Sequence, residues 1–256
     1  MNPLFGRFRP LADALVSVLS PATCVVCRNS VESLGCGVVC RACWQRIARL
    51  EGTLCDLCGY AFASSNLPAG KALCAACRRG YFHFDFARSY GRLEDPLQAI
   101  IHQFKYGSHP SLARPLARLL HALWVQDYRD RAPDMIVPVP LHKDRQRERG
   151  FNQACLLARH LSRWTQVPLM ATVLVRHRST AVQAGLSRGQ RRRNIQGAFR
   201  VADRAAVRKR AVLVVDDVFT TGATLNECAR MLGKQGAHRV DVLTIARVVA
   251  WSVPPV

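Results

Sequence analysis

Acidic residues and aromatic rings are scarce in this 256-residue chain. There are 17 Asp and Glu against 37 Lys and Arg, a formal net charge of +20, and Phe, Trp and Tyr make up only 7%. No apolar run reaches the ~18 residues that a membrane-spanning helix requires. Hydrophobic residues still amount to 49%, which excludes a wholly disordered chain. The charge excess predicts an anionic partner: nucleic acid, a membrane surface or a phosphorylated substrate.

The positive charge is concentrated in one stretch. Residues 140–211 hold 17 basic and 3 acidic residues, a net charge of +14, whereas residues 212–256 hold 4 of each. Arginine supplies 32 of the 37 cations, a bias that a GC-rich genome also produces. Because that bias would spread along the whole chain, the clustering favours an anion-binding region.

Most of the cysteines lie in a short N-terminal segment as Cys-x-x-Cys pairs. The odd total of 11 and this pairing argue against the disulfide framework of a secreted protein. Two intervening residues allow both sulfurs of a turn to face one tetrahedral zinc ion, and four thiolates leave no open position for chemistry. We therefore expect structural zinc bound by Cys24, Cys27, Cys40, Cys43, Cys55, Cys58, Cys74 and Cys77.

The spacing predicts two zinc ions per chain and is compatible with two ligand pairings. Sequential ribbons would use the first two pairs for one ion and the last two for the other. A cross-braced arrangement would combine the first pair with the third, and Cys36 is a ligand in neither. Redox-active motifs are a weaker alternative, since no βαβ pattern surrounds the pairs.

The chain divides into three predicted parts. Residues 1–20 form an amphipathic helix, residues 21–84 a double zinc ribbon and residues 85–256 an α/β domain. A signal peptide is the weaker interpretation of the first part, because Asp13 interrupts a short apolar run. We expect a cytoplasmic protein without a membrane span.

Short apolar runs alternate with helical patterns after residue 81. This alternation predicts a parallel sheet with crossover helices, and near-continuous apolar strands fit burial on both faces. Strands are predicted at residues 87–92, 134–140, 173–176, 211–215 and 240–246. Helices are predicted at residues 96–105, 112–125, 150–164 and 223–235.

The segment from 212 to 225 predicts a phosphate site. A buried strand carries Asp216 and Asp217 at its C-terminal end, and a Thr/Gly loop and a helix follow. Ligands of open α/β sheets bind at such strand ends, and free N–H groups at a helix N-terminus attract phosphate. No lysine follows Gly222, so the loop is not an NTP-binding P-loop. Adjacent carboxylates would repel phosphate but suit ribose hydroxyls, so we expect a sugar phosphate held at both ends.

The segment VVDDVFTTGAT at 214–224 resembles the motif of type I phosphoribosyltransferases that binds phosphoribosyl pyrophosphate (PRPP). Further motifs make the chain similar to the ComF family (competence protein F, also GntX-like). They are the zinc-ribbon start, FKYG at 104–107, VPVPL at 137–141, RGFNQ at 149–153, QAGL at 183–186, Arg191, Asn194 and GAF at 197–199. The resemblance covers residues ~20–248. It implies a type I phosphoribosyltransferase-like parallel sheet flanked by helices, with a small N-terminal zinc-ribbon domain.

The resemblance also implies roles for individual residues. Asp216 and Asp217 would hold the ribose hydroxyls and stabilise positive charge on the sugar if transfer occurs. The 5′-phosphate would lie against Thr220, Thr221, Gly222, Ala223 and Thr224. Pyrophosphate and its Mg²⁺ would lie near Lys143, Arg145, Arg149, Arg191 and Asn194.

ComF proteins are linked to natural competence, which implies single-stranded DNA and a helicase-like protein as partners. Residues 176–193 contain six arginines and no acid, a pattern that favours single-strand binding. No aromatic residue interleaves with them, and Trp44, Trp124 and Trp164 are expected to pack in the core rather than stack on bases. Three hypotheses follow: a phosphoribosyltransferase acting on an unidentified base or amine, a DNA-handling competence factor, and a non-catalytic PRPP sensor.

Overall fold

The computed structural model describes residues 23–31, 37–63, 72–180 and 187–249. The predicted helix at 1–20, Cys36 and the QAGL motif lie outside these residues. In the cysteine-rich part the helices are α1 (Arg41–Gln45) and α2 (Ala75–Arg78). The following elements are β1 (Phe86–Arg92), α3 (Leu97–Tyr106), α4 (Ala113–Leu123), β2 (Met135–Pro138), α5 (Lys143–Arg149), α6 (Gln153–Thr165), β3 (Leu174–Arg176), α7 (Arg188–Ile195), β4 (Phe199–Val201), α8 (Arg204–Val207), β5 (Ala211–Phe219), α9 (Ala223–Lys234) and β6 (Arg239–Arg247).

Four strands form a parallel sheet in the order β1-β6-β5-β2, as the alternating pattern predicted. β5 is longer than predicted, because β6 pairs with it beyond the apolar run, placing Asp216 opposite Thr244 and Val218 opposite Ala246. The predicted strand at 173–176 does not join this sheet. It pairs antiparallel with β4, which the sequence reading missed.

Successive residues of the central strands pack on opposite faces, as the pleat requires. Leu213 and Val215 join one core cluster, whereas Val212 and Val214 join the other. The first cluster includes residues of α3, α4, α6 and the first cysteine group. The second includes residues of α9, the β3–β4 pair and the second cysteine group. The two ribbons therefore pack on opposite faces of one sheet.

The segment between the two ribbons covers the free edge of β1. The Leu50 N–H donates to Tyr90 O at 2.9 Å, and the Arg92 N–H donates to Ala48 O at 3.1 Å. Arg49 and Gly91 form an antiparallel bridge there. An uncovered edge strand invites pairing with another chain, so this contact blunts one edge of the sheet.

Helices α6 and α9 follow the neighbouring strands β2 and β5 but lie on opposite faces of the sheet. This divergence opens a crevice at the carboxyl ends of the two strands, where open α/β sheets bind ligands. In the described part of the chain, every helix is too short or too polar to cross a membrane.

Candidate functional site

The cysteines form two sequential groups, so the cross-braced alternative does not occur. Cys24, Cys27, Cys40 and Cys43 form one group and Cys55, Cys58, Cys74 and Cys77 the other, each with its sulfurs within 4.8 Å of one another. Sulfur–sulfur distances are 3.9 Å for Cys24–Cys43, 3.5 Å for Cys27–Cys40 and 3.6 Å for Cys58–Cys74. Four sulfurs around tetrahedral zinc would lie about 3.8 Å apart, given Zn–S bonds of about 2.3 Å. The donor set and its geometry fit structural zinc.

The two groups are built alike. The Cys24 N–H donates to Asn29 O at 2.7 Å, and the Cys55 N–H donates to Tyr60 O at 2.8 Å. In each group the third cysteine donates its N–H to the first sulfur, at 3.3 Å for Cys40 and 3.4 Å for Cys74. Such N–H donors stabilise thiolates, the form that binds zinc. A hydrogen bond from the Cys58 thiol is the largest influence that lowers the pKa of Cys55, to about 4.

A cleft of about 380 Å³ occupies the predicted crevice. Its walls come from the loop after β2, the N-terminus of α6, the end of β5 and the first turn of α9. Asn152 joins two of these walls, because its Nδ2 donates to Val139 O at 3.1 Å while its Oδ1 accepts from the Cys155 N–H at 3.3 Å. The latter bond caps the N-terminus of α6. Lining residues from the predicted site are Arg145, Arg149, Arg191, Asp216, Asp217, Thr220, Gly222, Ala223 and Thr224.

The acidic pair has a cationic partner. Lys105 Nζ lies 2.9 Å from Asp217 Oδ2, and the Asp217 N–H donates to Asp216 Oδ1 at 2.9 Å. Burial by itself would lower the pKa of Lys105, but the Asp217 carboxylate has the larger effect, so this pKa is raised. Burial, followed by the charge of Asp217, raises the pKa of Asp216 to about 7. The pair is therefore a strained arrangement that a ligand with hydroxyl donors would relieve.

We expect Asp216→Asn to stabilise the unliganded protein above neutral pH. The pKa of Asp216 is about 7 in the fold and about 3.9 in an unfolded chain. The contribution of Asp216 to the free energy of unfolding is thus fully present below pH ~4 and is lost as pH rises through ~7. The loss amounts to up to about 4 kcal/mol. Urea unfolding at pH 5 and pH 8 measures this. The free energy of unfolding of the variant should increase relative to that of wild type between pH 5 and pH 8. Parallel pH profiles for the two proteins would contradict the raised pKa of Asp216.

The predicted phosphate loop at 220–224 packs tightly against the aromatic rings of Phe219 and Phe82. Gly222 has φ +76°, and a Cβ there would lie 2.6 Å from Phe219 Cζ and 2.9 Å from Phe82 Cε1. Asn226, one turn into α9, accepts the His83 N–H at 2.6 Å and donates to Tyr81 O at 3.1 Å. The segment leaving the second ribbon therefore holds both the loop and the helix that follows it.

Arg247 connects this loop to the second cysteine group. It is only 6% exposed, and its guanidinium lies 4.0 Å from the ring centre of Phe219. Its Nη1 donates to Cys58 O at 2.6 Å, and its Nη2 lies 3.7 Å from Cys58 Sγ. The Phe219 ring, which lies against Gly222, thus contacts the Arg247 guanidinium, and this guanidinium is hydrogen-bonded to Cys58 of the second cysteine group.

The cleft is also rich in hydrogen-bond donors. Arg149 Nη1 donates to Gln153 Oε1 at 3.1 Å and its Nη2 to Tyr106 Oη at 2.9 Å. Three buried donors of residues that line the cleft find no acceptor among the described residues: Arg149 Nε, Gln153 Nε2 and Arg176 Nε. Buried donors are nearly always satisfied, so they indicate an acceptor-rich ligand.

Three predicted site residues do not line the cleft. Lys143 is exposed and does not line the cleft. The hydroxyl of Thr221 accepts the Ala223 N–H at 3.3 Å, so it forms a hydrogen bond within the loop. Asn194 is outside the cleft wall, and its carbonyl accepts from Arg178 at 2.9 Å.

Sequence reasoning assigned no role to Lys105, Tyr106 or Arg176, which also line the cleft. The first two belong to the FKYG motif, so the motif marked their position without revealing their function. Arg176 was counted with the charge of residues 176–193, although its Nη2 donates to Thr180 inside the cleft wall. A carboxylate pair in need of a cation was the signal that could have identified Lys105.

The fold and this cleft define a phosphoribosyltransferase-type domain joined to a double zinc ribbon. Residues 15–78 match the family described as double zinc ribbon domain, and residues 109–251 match the phosphoribosyl transferase domain. The chain belongs to the ComF family of such two-part proteins.

Curated relatives align over nearly the whole chain. DNA utilization protein YhgH of Escherichia coli O157:H7 is 37% identical over 234 residues, which cover 90% of this chain and 98% of the relative. Competence protein F of Haemophilus influenzae is 35% identical over 229 residues, covering 88% and 96%. Competence protein ComFC of Bacillus subtilis is 28% identical over 216 residues, covering 82% and 84%.

Proposed function

We propose that the cleft binds PRPP together with Mg²⁺. The observation that carries the proposal is that an acidic pair and unsatisfied buried donors line the same cleft. A simple anion would suit the donors but not the carboxylates. A sugar phosphate with a free diol suits both, because hydroxyls donate to carboxylates and phosphate oxygens accept from guanidinium and amide groups.

The 5′-phosphate would lie on the loop at 220–224. Helix α9 begins at Ala223 after Gly222, so its first N–H groups and its positive dipole end face the cleft. The left-handed backbone of Gly222 allows the phosphate to approach the main chain closely. The ribose diol would then reach Asp216 and Asp217 at the end of β5, with Lys105 balancing their charge.

The pyrophosphate would lie near the arginines that line the cleft, which are Arg145, Arg149, Arg176 and Arg191. Mg²⁺, when bound, would neutralise charge on the pyrophosphate, and carboxylate oxygens of the type present at the acidic pair are its preferred protein ligands. Departure of pyrophosphate would leave positive charge on the sugar, which the acidic pair would stabilise without a protein nucleophile.

Calorimetric titration with PRPP and Mg²⁺ tests the assignment. Wild type should bind, and the Asp216→Ala, Asp217→Ala double variant should lose at least about a hundredfold in affinity, because two charge-assisted hydrogen bonds are worth about 3 kcal/mol or more. Inorganic pyrophosphate is the matched ligand, and its binding should hold or improve once two negative charges are gone. Absent PRPP binding, or equal PRPP binding by the variant, would refute the proposal.

We further propose that the protein handles single-stranded DNA in competence, in the cytoplasm and alongside a helicase-like protein. Relatives named competence protein F and DNA utilization protein support this role, as does the net charge of +20. Catalytic transfer to an unidentified base or amine and PRPP sensing without catalysis are the alternative uses of the same cleft.

A salt titration tests the DNA role. The logarithm of the affinity for oligo(dT) should fall linearly with the logarithm of salt concentration, with a slope of about 0.7 for each phosphate contacted. A flat salt response, or no binding at all, would remove single-strand handling from the proposal while leaving PRPP binding untouched.

A further inference from the structure

The basic stretch at 176–193 offers less free charge than its composition suggests. Arg176 and Arg191 line the PRPP cleft, and Arg178 donates to the carbonyls of Asn194 and Gln196. These arginines serve the cleft wall or hold the chain around it. Three of the six arginines are thus engaged at or around the cleft, which leaves fewer of them for a polyanion that coexists with PRPP.

Helices α4 and α6 present a further basic surface. They pack side by side, bury their apolar residues against the sheet and contain no aspartate or glutamate. Arg114 and Arg118 lie one turn apart on α4, and Arg159 and Arg163 lie one turn apart on α6. All four side chains are exposed. Residues four apart share a helix face, so each helix contributes a row of two arginines.

Three aromatic rings lie between these helices. Trp164, half-buried at the end of α6, has the His121 ring of α4 at 5.6 Å and the His160 ring at 5.7 Å, measured between ring centres. The indole packs against the core, as the sequence predicted, but it also joins a ring cluster at the surface. Planar rings of this kind support base stacking, which tolerates any sequence because every base has a π-face.

Cationic groups from both helices lie near this cluster. Burial lowers the pKa of His160, and the charges of Arg163, Arg114 and Arg159 lower it further. Arg114 of α4 thus lies near the same point as Arg159 and Arg163 of α6. We call the surface formed by Arg114, Arg118, His121, Arg159, His160, Arg163 and Trp164 the α4–α6 face.

The α4–α6 face is separate from the PRPP cleft. Gln153, the first residue of α6, lines the cleft, whereas Trp164 lies near the last turn of this helix. Eleven residue steps of 1.5 Å put them about 16 Å apart along the helix. No residue of the face lines the cleft among the residues that the structure describes.

We propose that the α4–α6 face binds single-stranded DNA, with its arginines on phosphates and its ring cluster against bases. The proposal rests on the DNA role inferred above and assigns it a surface. An anionic membrane is disfavoured as the partner, because membrane-surface helices insert large apolar side chains. Among the described residues, the exposed large hydrophobics are Tyr106 and Val125, and neither belongs to α4 or α6.

Fluorescence anisotropy of labelled oligo(dT) with the full-length protein tests the face. The patch variant carries Arg114→Gln, Arg159→Gln and Arg163→Gln. The control variant removes equal charge from exposed arginines elsewhere, through Arg200→Gln, Arg204→Gln and Arg208→Gln. Three lost phosphate contacts should lower the salt slope by about 2 and the affinity at 0.15 M salt by about 50-fold. The control variant should lose far less oligo(dT) affinity, and both variants should bind PRPP with wild-type affinity.

The ring cluster has its own pair of variants. Trp164→Leu should weaken oligo(dT) binding by about tenfold, whereas Trp164→Phe keeps an aromatic ring and should restore most of it. Recovery by phenylalanine separates stacking from the packing role of the indole. Equal binding by both variants at the wild-type level would remove the ring cluster from the interface.

The outcomes distinguish this inference from the broader DNA role. If wild type binds oligo(dT) and the patch variant binds as well, the face is wrong and the DNA role stands. If patch and control variants lose equally, binding follows total charge and the face is also wrong. If the patch variant loses binding to anionic phospholipid vesicles but not to oligo(dT), the face contacts membranes instead. If wild type binds no oligo(dT), the DNA role itself fails.

Discussion

Gly222→Ala is expected to lower PRPP affinity by at least about a hundredfold. The backbone at this residue has φ +76°, a conformation that costs a non-glycine residue about 1–2 kcal/mol. The added methyl would also lie 2.6 Å from Phe219 Cζ. Phe219 is 1% exposed and is packed against Arg247 and Phe84, so the ring cannot yield without disturbing the core, at a cost of about 1–3 kcal/mol.

The loop would relieve this strain by moving away from the ring. Such a movement withdraws the N–H groups that the 5′-phosphate requires, and two lost charge-assisted hydrogen bonds are worth about 3 kcal/mol or more. Calorimetry with PRPP and Mg²⁺ measures the loss. Gly233→Ala is the matched control, because this exposed glycine lies in the same helix with nothing within 4 Å of its would-be Cβ. Unchanged PRPP affinity in Gly222→Ala would contradict the loop assignment.

The second large effect is expected from Cys74→Ser, Cys77→Ser. Zinc per chain should fall from two to one, and the melting temperature should fall by about 10 °C or more, because structural zinc supplies folding free energy directly. PRPP affinity should fall as well. Phe82 follows this ribbon and would contact a Cβ at Gly222, and Arg247 spans from Cys58 to the ring of Phe219.

Metal analysis, thermal unfolding and PRPP titration of the folded protein together test this coupling. Cys155→Ser is the matched control, since this half-buried cysteine belongs to neither group, and it should retain two zinc ions and wild-type PRPP affinity. Loss of one zinc with no change in PRPP affinity would show that the second ribbon does not support the phosphate loop.

Most of the fold could be predicted from sequence patterns that lie within single elements. The apolar run at 211–215 and the helical pattern at 223–235 predicted β5 and α9, because each signal lies within one element. The sequence could not reveal that β5 continues to Phe219, since that extension depends on pairing with β6. β4 is only three residues long, too short for alternation to mark it.

The site depended more on contacts between distant residues. The Thr/Gly loop and the acidic pair are contiguous, so they could be read directly. The partnership of Lys105 with Asp217 joins residues on α3 and β5, and no spacing rule connects them. Charge counting over residues 176–193 also does not distinguish Arg176 and Arg191, which line the cleft, from Arg193, which is exposed.

The α4–α6 face also depends on residues that are distant in sequence, so it too could not be predicted from the sequence. Arg114 and Arg118 are separated in sequence from Arg159 and Arg163, so no continuous stretch of the chain is unusually basic there. Packing of the two helices against one face of the sheet brings Arg114 close to Arg159 and Arg163. A surface of this kind is visible only in the folded chain.

A crystal structure with PRPP, Mg²⁺ and a short oligo(dT) tests the central claim most directly. PRPP is expected in the cleft, with its 5′-phosphate on the N–H groups of residues 220–224, its ribose hydroxyls within hydrogen-bond distance of Asp216 and Asp217, and its pyrophosphate toward Arg149 and Arg176. A cleft that stays empty at saturating PRPP, or PRPP bound with its pyrophosphate on the 220–224 loop, would contradict the account.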